Sequence, residues 1–195
     1  MVVSRVIIAV VFCAFMLSAS LKPQARQAIE SDINVLYGTD PDIVKTQAAN
    51  RLVAVGPSAI PMLVPVICDR SKPNFNSAWP FAAKALGQLR AEPAAHCLVN
   101  LLGLNFPPIG PVFMKSDETI ARADPAFAAL VQIGEPAVSM IRYELPFLGP
   151  ENAYEALRVL RLIKTPSAKE AVDTYIKTLN RQVGLANKIL DGWNN

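Results

Sequence analysis

The sequence predicts an all-α chain: an α-solenoid of about four antiparallel helix pairs with capping helices at its two ends. Three observations predict it. Residues 50–69, NRLVAVGPSAIPMLVPVICD, and 128–147, AALVQIGEPAVSMIRYELPF, each write an apolar helix, a Gly followed at once or one residue later by Pro, and a second apolar helix. Ala59, Ala94, Ala137 and Ala168 align as a column at spacings of 35, 43 and 31 residues, the range in which self-similarity marks a stacked helical repeat. Finally, 195 residues at 52% apolar and 18% charged content suffice for one core and call for no second domain.

The elements follow in chain order. MVVSRVIIAVVFCAFMLSASLKP has one early Arg, an apolar run from Val6 to Leu17 and the small residues Ser18, Ala19 and Ser20. Residues 1–20 are therefore expected to be a secretory signal cleaved after Ser20. An uncleaved anchor over residues 6–21 or a buried N-terminal helix are the alternatives. QARQAIESDINVLY, residues 24–37, carries one apolar face and is expected to cap the first pair. Asp40 before Pro41, Ser77 before Ala78, Asp124 before Pro125 and Gly149 before Pro150 have the chemistry of helix starts. Gly56 and Gly134 are expected to end helices, because positive φ costs Gly nothing.

The aligned second helices continue the column alanines with Leu63, Leu98, Ile141 and Val172 four residues on, and with Ile67, Leu102, Leu145 and Ile176 eight residues on. The first helices agree: Leu52, Leu86, Leu130 and Leu157 are each followed at the third residue by Val55, Leu89, Ile133 and Leu160. At the C-terminus, Val172, Ile176, Leu179, Val183, Ala186, Leu190 and Trp193 recur at 4,3,4,3 spacing. This fits either a final helix packed on the last pair, the expected arrangement, or a coiled-coil seam.

AANRLVAVGPSAIPMLVPVI and AFAALVQIGEPAVSMI resemble HEAT repeats, in particular the short bacterial kind of the phycobilisome-lyase type, over residues 41–180. The resemblance implies first helices on the convex side and second helices on the concave side. It also implies a range of roles, from scaffold and assembly factor to lyase-type enzyme acting on a partner protein's prosthetic group.

Charge and residue chemistry narrow the function. The 19 basic and 16 acidic residues become 18 against 16, or +2, once Arg5 is removed with the leader. They are interspersed, which argues against a nucleic-acid partner. His96 is the only histidine. With no HExxH and no paired CxxC, neither a metal nor another cofactor is implied, and no acid–base constellation suggests an enzyme. Glu151, Glu155, Glu170 and Asp173 are expected on solvated helix faces. Parallel second helices in register would offset Cys68 from Cys97 by six residues, about 9 Å axially, beyond the ~7 Å Cα reach of a disulfide. Two free thiols are expected.

Binding is expected on two surfaces. Residues two, five and six places after each column alanine turn outward on the concave side: His96, Val99 and Asn100, then Ser139, Arg142 and Tyr143, then Glu170, Asp173 and Thr174. The loop edge made of RSKPNFNSAWP, LNFPPIGPVFMKSD and PFLGPE collects Phe75, Trp79, Phe106, Phe113 and Phe147. Its middle loop is expected to fold as a lid or to stand as a partner-binding rim. The expected function is an exported interaction scaffold or assembly factor that holds a protein or peptide partner, with a membrane involved only through an uncleaved N-terminal segment.

Overall fold

A computed structural model of the chain describes residues 23–104 and 116–193, apart from the side chains beyond Lys188. The leader and the loop residues Phe106 and Phe113, on which the lid expectation rests, lie outside the described residues. The described residues are all-helical: α1 Pro23–Tyr37, α2 Asp42–Val55, α3 Ile60–Cys68, α4 Phe75–Gln88, α5 Ala95–Val99, α6 Asp117–Ala123, α7 Pro125–Ile133, α8 Glu135–Glu144, α9 Pro150–Ile163 and α10 Pro166–Trp193. Short 3-10 turns lead into α3 and α5 and follow α8.

Two rows of helices share one core. In the first row α2 packs on α4, α4 on α7 and α7 on α9; in the second α3 touches α5, α5 packs on α8 and α8 on α10. The apolar columns explain this. Ala59, Ala94, Ala137 and Ala168 are all buried, as are Leu63, Leu98 and Ile141, and Leu52, Leu86 and Leu130 of the first row. Two members of the columns depart, because Val55 and Ile176 are exposed. The approach of α4 to α7 depends on Gly87, where a Cβ would come within 2.7 Å of the Ala129 Cα.

Local chemistry sets the breaks. Gly56 and Gly134 have φ of 83° and 75° with ψ of −157° and −138°, a region open essentially to Gly alone, so each ends one helix and turns the chain into the next. Asp124 caps α7: its Oδ1 accepts from the Ala126 and Phe127 amides at 2.8 and 3.1 Å, while its Oδ2 accepts from the Gly103 amide at 2.7 Å. Helix α4, by contrast, begins at Phe75, three residues before the expected start at Ala78. Asn74, in the left-handed region at φ 60°, precedes it and its side-chain amide donates to the Tyr37 carbonyl. Ser77 sits inside the helix and accepts from the buried ammonium of Lys45. An additional short helix, α6, is capped by Ser116, whose Oγ accepts from the Thr119 amide at 3.2 Å.

Several expectations are corrected here. Cys68 and Cys97 form a disulfide, with Cα atoms 5.3 Å apart. Antiparallel pairs with parallel second helices would hold the two cysteines apart. The chain instead turns through only 114° between α2 and the α3 segment, and Pro65 lies inside α3, removing a helical hydrogen bond where it sits. The C-terminal end of α3 therefore meets the middle of α5 rather than running past it. Trp79 and Phe75 are buried and stack at 6.5 Å within the core; they are α4 side chains, not an exposed rim. Val99 is buried as well.

Glu155 is fully buried rather than solvated. Burial first, and the neighbouring Asp124 carboxylate second, push its carboxyl up to about 7. Neither of its oxygens has a hydrogen-bond partner of normal geometry among the described residues. Asp124 is also raised by burial, against the pull of its three amide donors. Lastly, α10 packs on α8 and α9 only through its first turns: every described residue from Ile176 to Lys188 is exposed.

Candidate binding face

The second-row helices bring most of the predicted face residues to one exposed surface. Asn100 donates from Nδ2 to the His96 carbonyl at 2.9 Å, across one turn from α5 into the residue that ends it. His96 also reaches the next helix. Its Nδ1 lies 2.8 Å from Glu144 Oε1, at hydrogen-bonding distance. Glu144 is 8% exposed, so the imidazole shields a nearly buried carboxylate and the pair joins α5 to α8.

Around this pair lies an open polar cavity of about 440 Å³, lined by Cys68, Arg70, His96, Cys97, Asn100 and Glu144. Arg70 crosses it to donate to the Asn100 carbonyl. The disulfide forms part of the wall, with Cys68 exposed and Cys97 half-buried. Arg70 and Glu144 were missed in sequence. Arg70 lies in the connection after α3, outside any helical register, and Glu144 reads as one more surface acid until its burial is seen.

Next to Glu144 in the chain the surface turns aromatic. Tyr143 and Phe147 are 67% and 75% exposed, and their rings meet at 6.2 Å with planes tilted by 53°. One residue after the column residue Ile141 on α8, Arg142 points outward and bonds Glu170 of α10 at 3.4 Å, an exposed contact that links the two helices. An ion pair this exposed contributes little to stability, so Arg142 can exchange Glu170 for another carboxylate at small cost. Ser139, Asp173 and Thr174 lie on the exposed faces of α8 and α10. The structure thus brings together His96 with Asn100, Arg142 with Glu170, and Tyr143 with Phe147, and leaves Trp79 and Phe75 out.

Among the described residues no group of three or more His, Cys, Asp or Glu side chains is placed to hold a metal ion. A tetrad of Arg70, His96, Asn100 and Glu144 beside two large exposed rings is equipped to bind: charged and amide groups fix direction, and the rings supply apolar contact area. No family model matches the chain, nor does any curated protein or solved structure.

Proposed function

We propose that the chain is an exported interaction module, a HEAT-like α-solenoid of four helix pairs that holds a segment of a partner protein on its second-helix face. The observation that carries this reading is the Tyr143–Phe147 pair: two large rings, both more than two-thirds exposed and in mutual contact, on the same face as the His96–Glu144 cavity. A monomeric domain rarely leaves adjoining aromatic rings so uncovered without a use for them. The rings would take an apolar side chain of the partner segment, and Arg142 and Arg70 would take its carboxylate or carbonyl groups.

The packing of α2, α4, α7 and α9 in one row and α3, α5, α8 and α10 in the other supports the solenoid reading, since each unit touches its neighbours in the row. The Cys68–Cys97 bond supports export, because such bonds persist in oxidising compartments. The test is capture from the envelope or secretion fraction with the unaltered protein and with Tyr143→Ala/Phe147→Ala. Both side chains being exposed, the variant should melt within about 0.5 kcal/mol of the original while losing tenfold or more in affinity for the captured protein, once that protein is purified. Equal affinity with equal melts would remove this face from the function.

A further inference from the structure

Helices α9 and α10 are the last of their rows among the described residues, and they end the stack on an apolar face. Leu157 continues the column of Leu52, Leu86 and Leu130, and Val172 that of Leu63, Leu98 and Ile141. The six earlier residues are fully buried, whereas Leu157 and Val172 are only partly so. The terminal unit of a stack normally turns polar side chains outward. Here α9 and α10 instead leave an open groove of about 720 Å³ whose floor includes Leu157, Leu160 and Val172.

The charges around the floor identify the occupant. Arg158, Arg161, Lys164 and Lys169 line the groove, and no Asp or Glu does. Arg158 and Arg161 share the carboxylate of Asp117, at 2.7 and 2.6 Å, so two guanidiniums meet one negative charge. The side chains of Lys164 and Lys169 are exposed and have no hydrogen-bond or ion-pair partner among the described residues. Lys164 ends α9 and Lys169 lies in the first turn of α10, so both ammoniums stand at the junction of the two helices, at one end of the floor. An apolar floor with cations gathered at one end fits a molecule with a hydrocarbon body and an anionic head, the floor supplying contact area and the cations direction. An extended acidic peptide fits less well, because it would lay backbone N–H and C=O groups on a floor that cannot pair them. An anionic bilayer would be held best by cations along the whole apolar side of α10. Beyond Lys169, however, the next two, Lys177 and Arg181, fall about 160° round the helix from the exposed Leu179.

We propose that the α9–α10 groove binds a single-chain amphiphile with an anionic head, of the class of long-chain carboxylates. The hydrocarbon chain lies on Leu157, Leu160 and Val172, and the head takes the ammoniums of Lys164 and Lys169. This site is separate from the partner-binding face, whose α10 members Glu170 and Thr174 stand about 160° round the helix from Val172. The test is isothermal titration of the intact protein with dodecanoate, with acetate and with dodecyltrimethylammonium, together with sedimentation in the presence of phosphatidylglycerol vesicles. Lys164→Glu/Lys169→Glu is the variant. The expected result is saturable binding of one dodecanoate per chain, with no saturable binding of acetate, which lacks the chain, or of dodecyltrimethylammonium, which lacks the anion. The variant should lose about tenfold or more in affinity for dodecanoate with its melting unchanged, since both side chains are exposed. The proposal is overturned if dodecanoate shows no saturable binding, whether or not the protein sediments with the vesicles. It is equally overturned if the variant binds dodecanoate as well as the original does, or if acetate or dodecyltrimethylammonium binds as tightly as dodecanoate.

Discussion

Replacing Cys68 and Cys97 together by Ser removes a bond that closes a loop of 29 residues. On the chain-entropy account the closed loop loses 2.1 + 1.5R ln n cal/mol/K in the unfolded state, which for this loop is about 12 cal/mol/K, or about 3.6 kcal/mol at 25 °C. For a domain of this size the loss should lower Tm by roughly 7 to 14 °C. The assay is paired urea and thermal unfolding of the oxidised protein and the double variant, preceded by a thiol count on denatured, unreduced protein. The disulfide predicts that neither Cys68 nor Cys97 reacts until reductant is added. Two reactive thiols from these positions would refute the bond, and a double variant within about 0.5 kcal/mol of the original would refute its energetic role. The urea slope offers a further check, since an uncrosslinked chain exposes more surface on unfolding and should show a larger m-value.

Two further substitutions probe the core. Gly87→Ala would ordinarily favour a helix by about 1 kcal/mol, yet a Cβ there would sit 2.7 Å from the Ala129 backbone, so net destabilisation of about 1–3 kcal/mol is expected, read from urea midpoints; a more stable variant would mean that α4 and α7 are not so close. For Glu155 the folded-state value of about 7 lies above the ordinary 4.5. The unfolded chain therefore gives up this proton first: stability should be unaffected below the ordinary carboxylate range, fall as pH rises toward 7 and level off above it. Glu155→Gln should abolish that fall and be the more stable protein at pH 8, and a parallel pH profile for the two would contradict the burial of this carboxyl.

Much of the fold was legible because burial leaves a periodic trace. The alanine column and the leucines that follow it repeat at helical spacing, and each member must face the core for the rows to stack, so Ala59 through Ala168 could be aligned without coordinates. Asp124 and Gly149 were legible as caps, and Gly56 and Gly134 as helix ends, because few residues do these jobs. What failed was angular. Periodicity tells which side of a helix is buried, but not the angle at which it crosses its neighbour. The 114° turn between α2 and the α3 segment is therefore invisible in sequence, and with it went the distance from Cys68 to Cys97. The start of α4 failed for a related reason: Asn74 enters the helix through a left-handed backbone supported by Tyr37, a contact 37 residues away in the chain.

The site divides along the same line. His96, Asn100, Arg142 and Tyr143 were found because outward positions follow from inward ones on the same helix. Arg70 and Glu144 were not, since their roles depend on what another helix brings opposite them. Trp79 shows the converse error: grouped with Phe75 by proximity to a Pro-rich connection, it was placed on the edge, although at the spacing Phe75, Trp79, Ala82, Leu86 it continues the buried stripe of α4. Large aromatics near turns are ambiguous in sequence, and helical register resolves them when it is applied through the turn. The same register places Tyr143 two residues after the buried Ile141 and Phe147 two residues after the buried Leu145, each displaced from the core side of its turn. Their exposure thus follows from the repeat itself, and it makes this pair, rather than the tryptophan, the aromatic surface that a partner can reach.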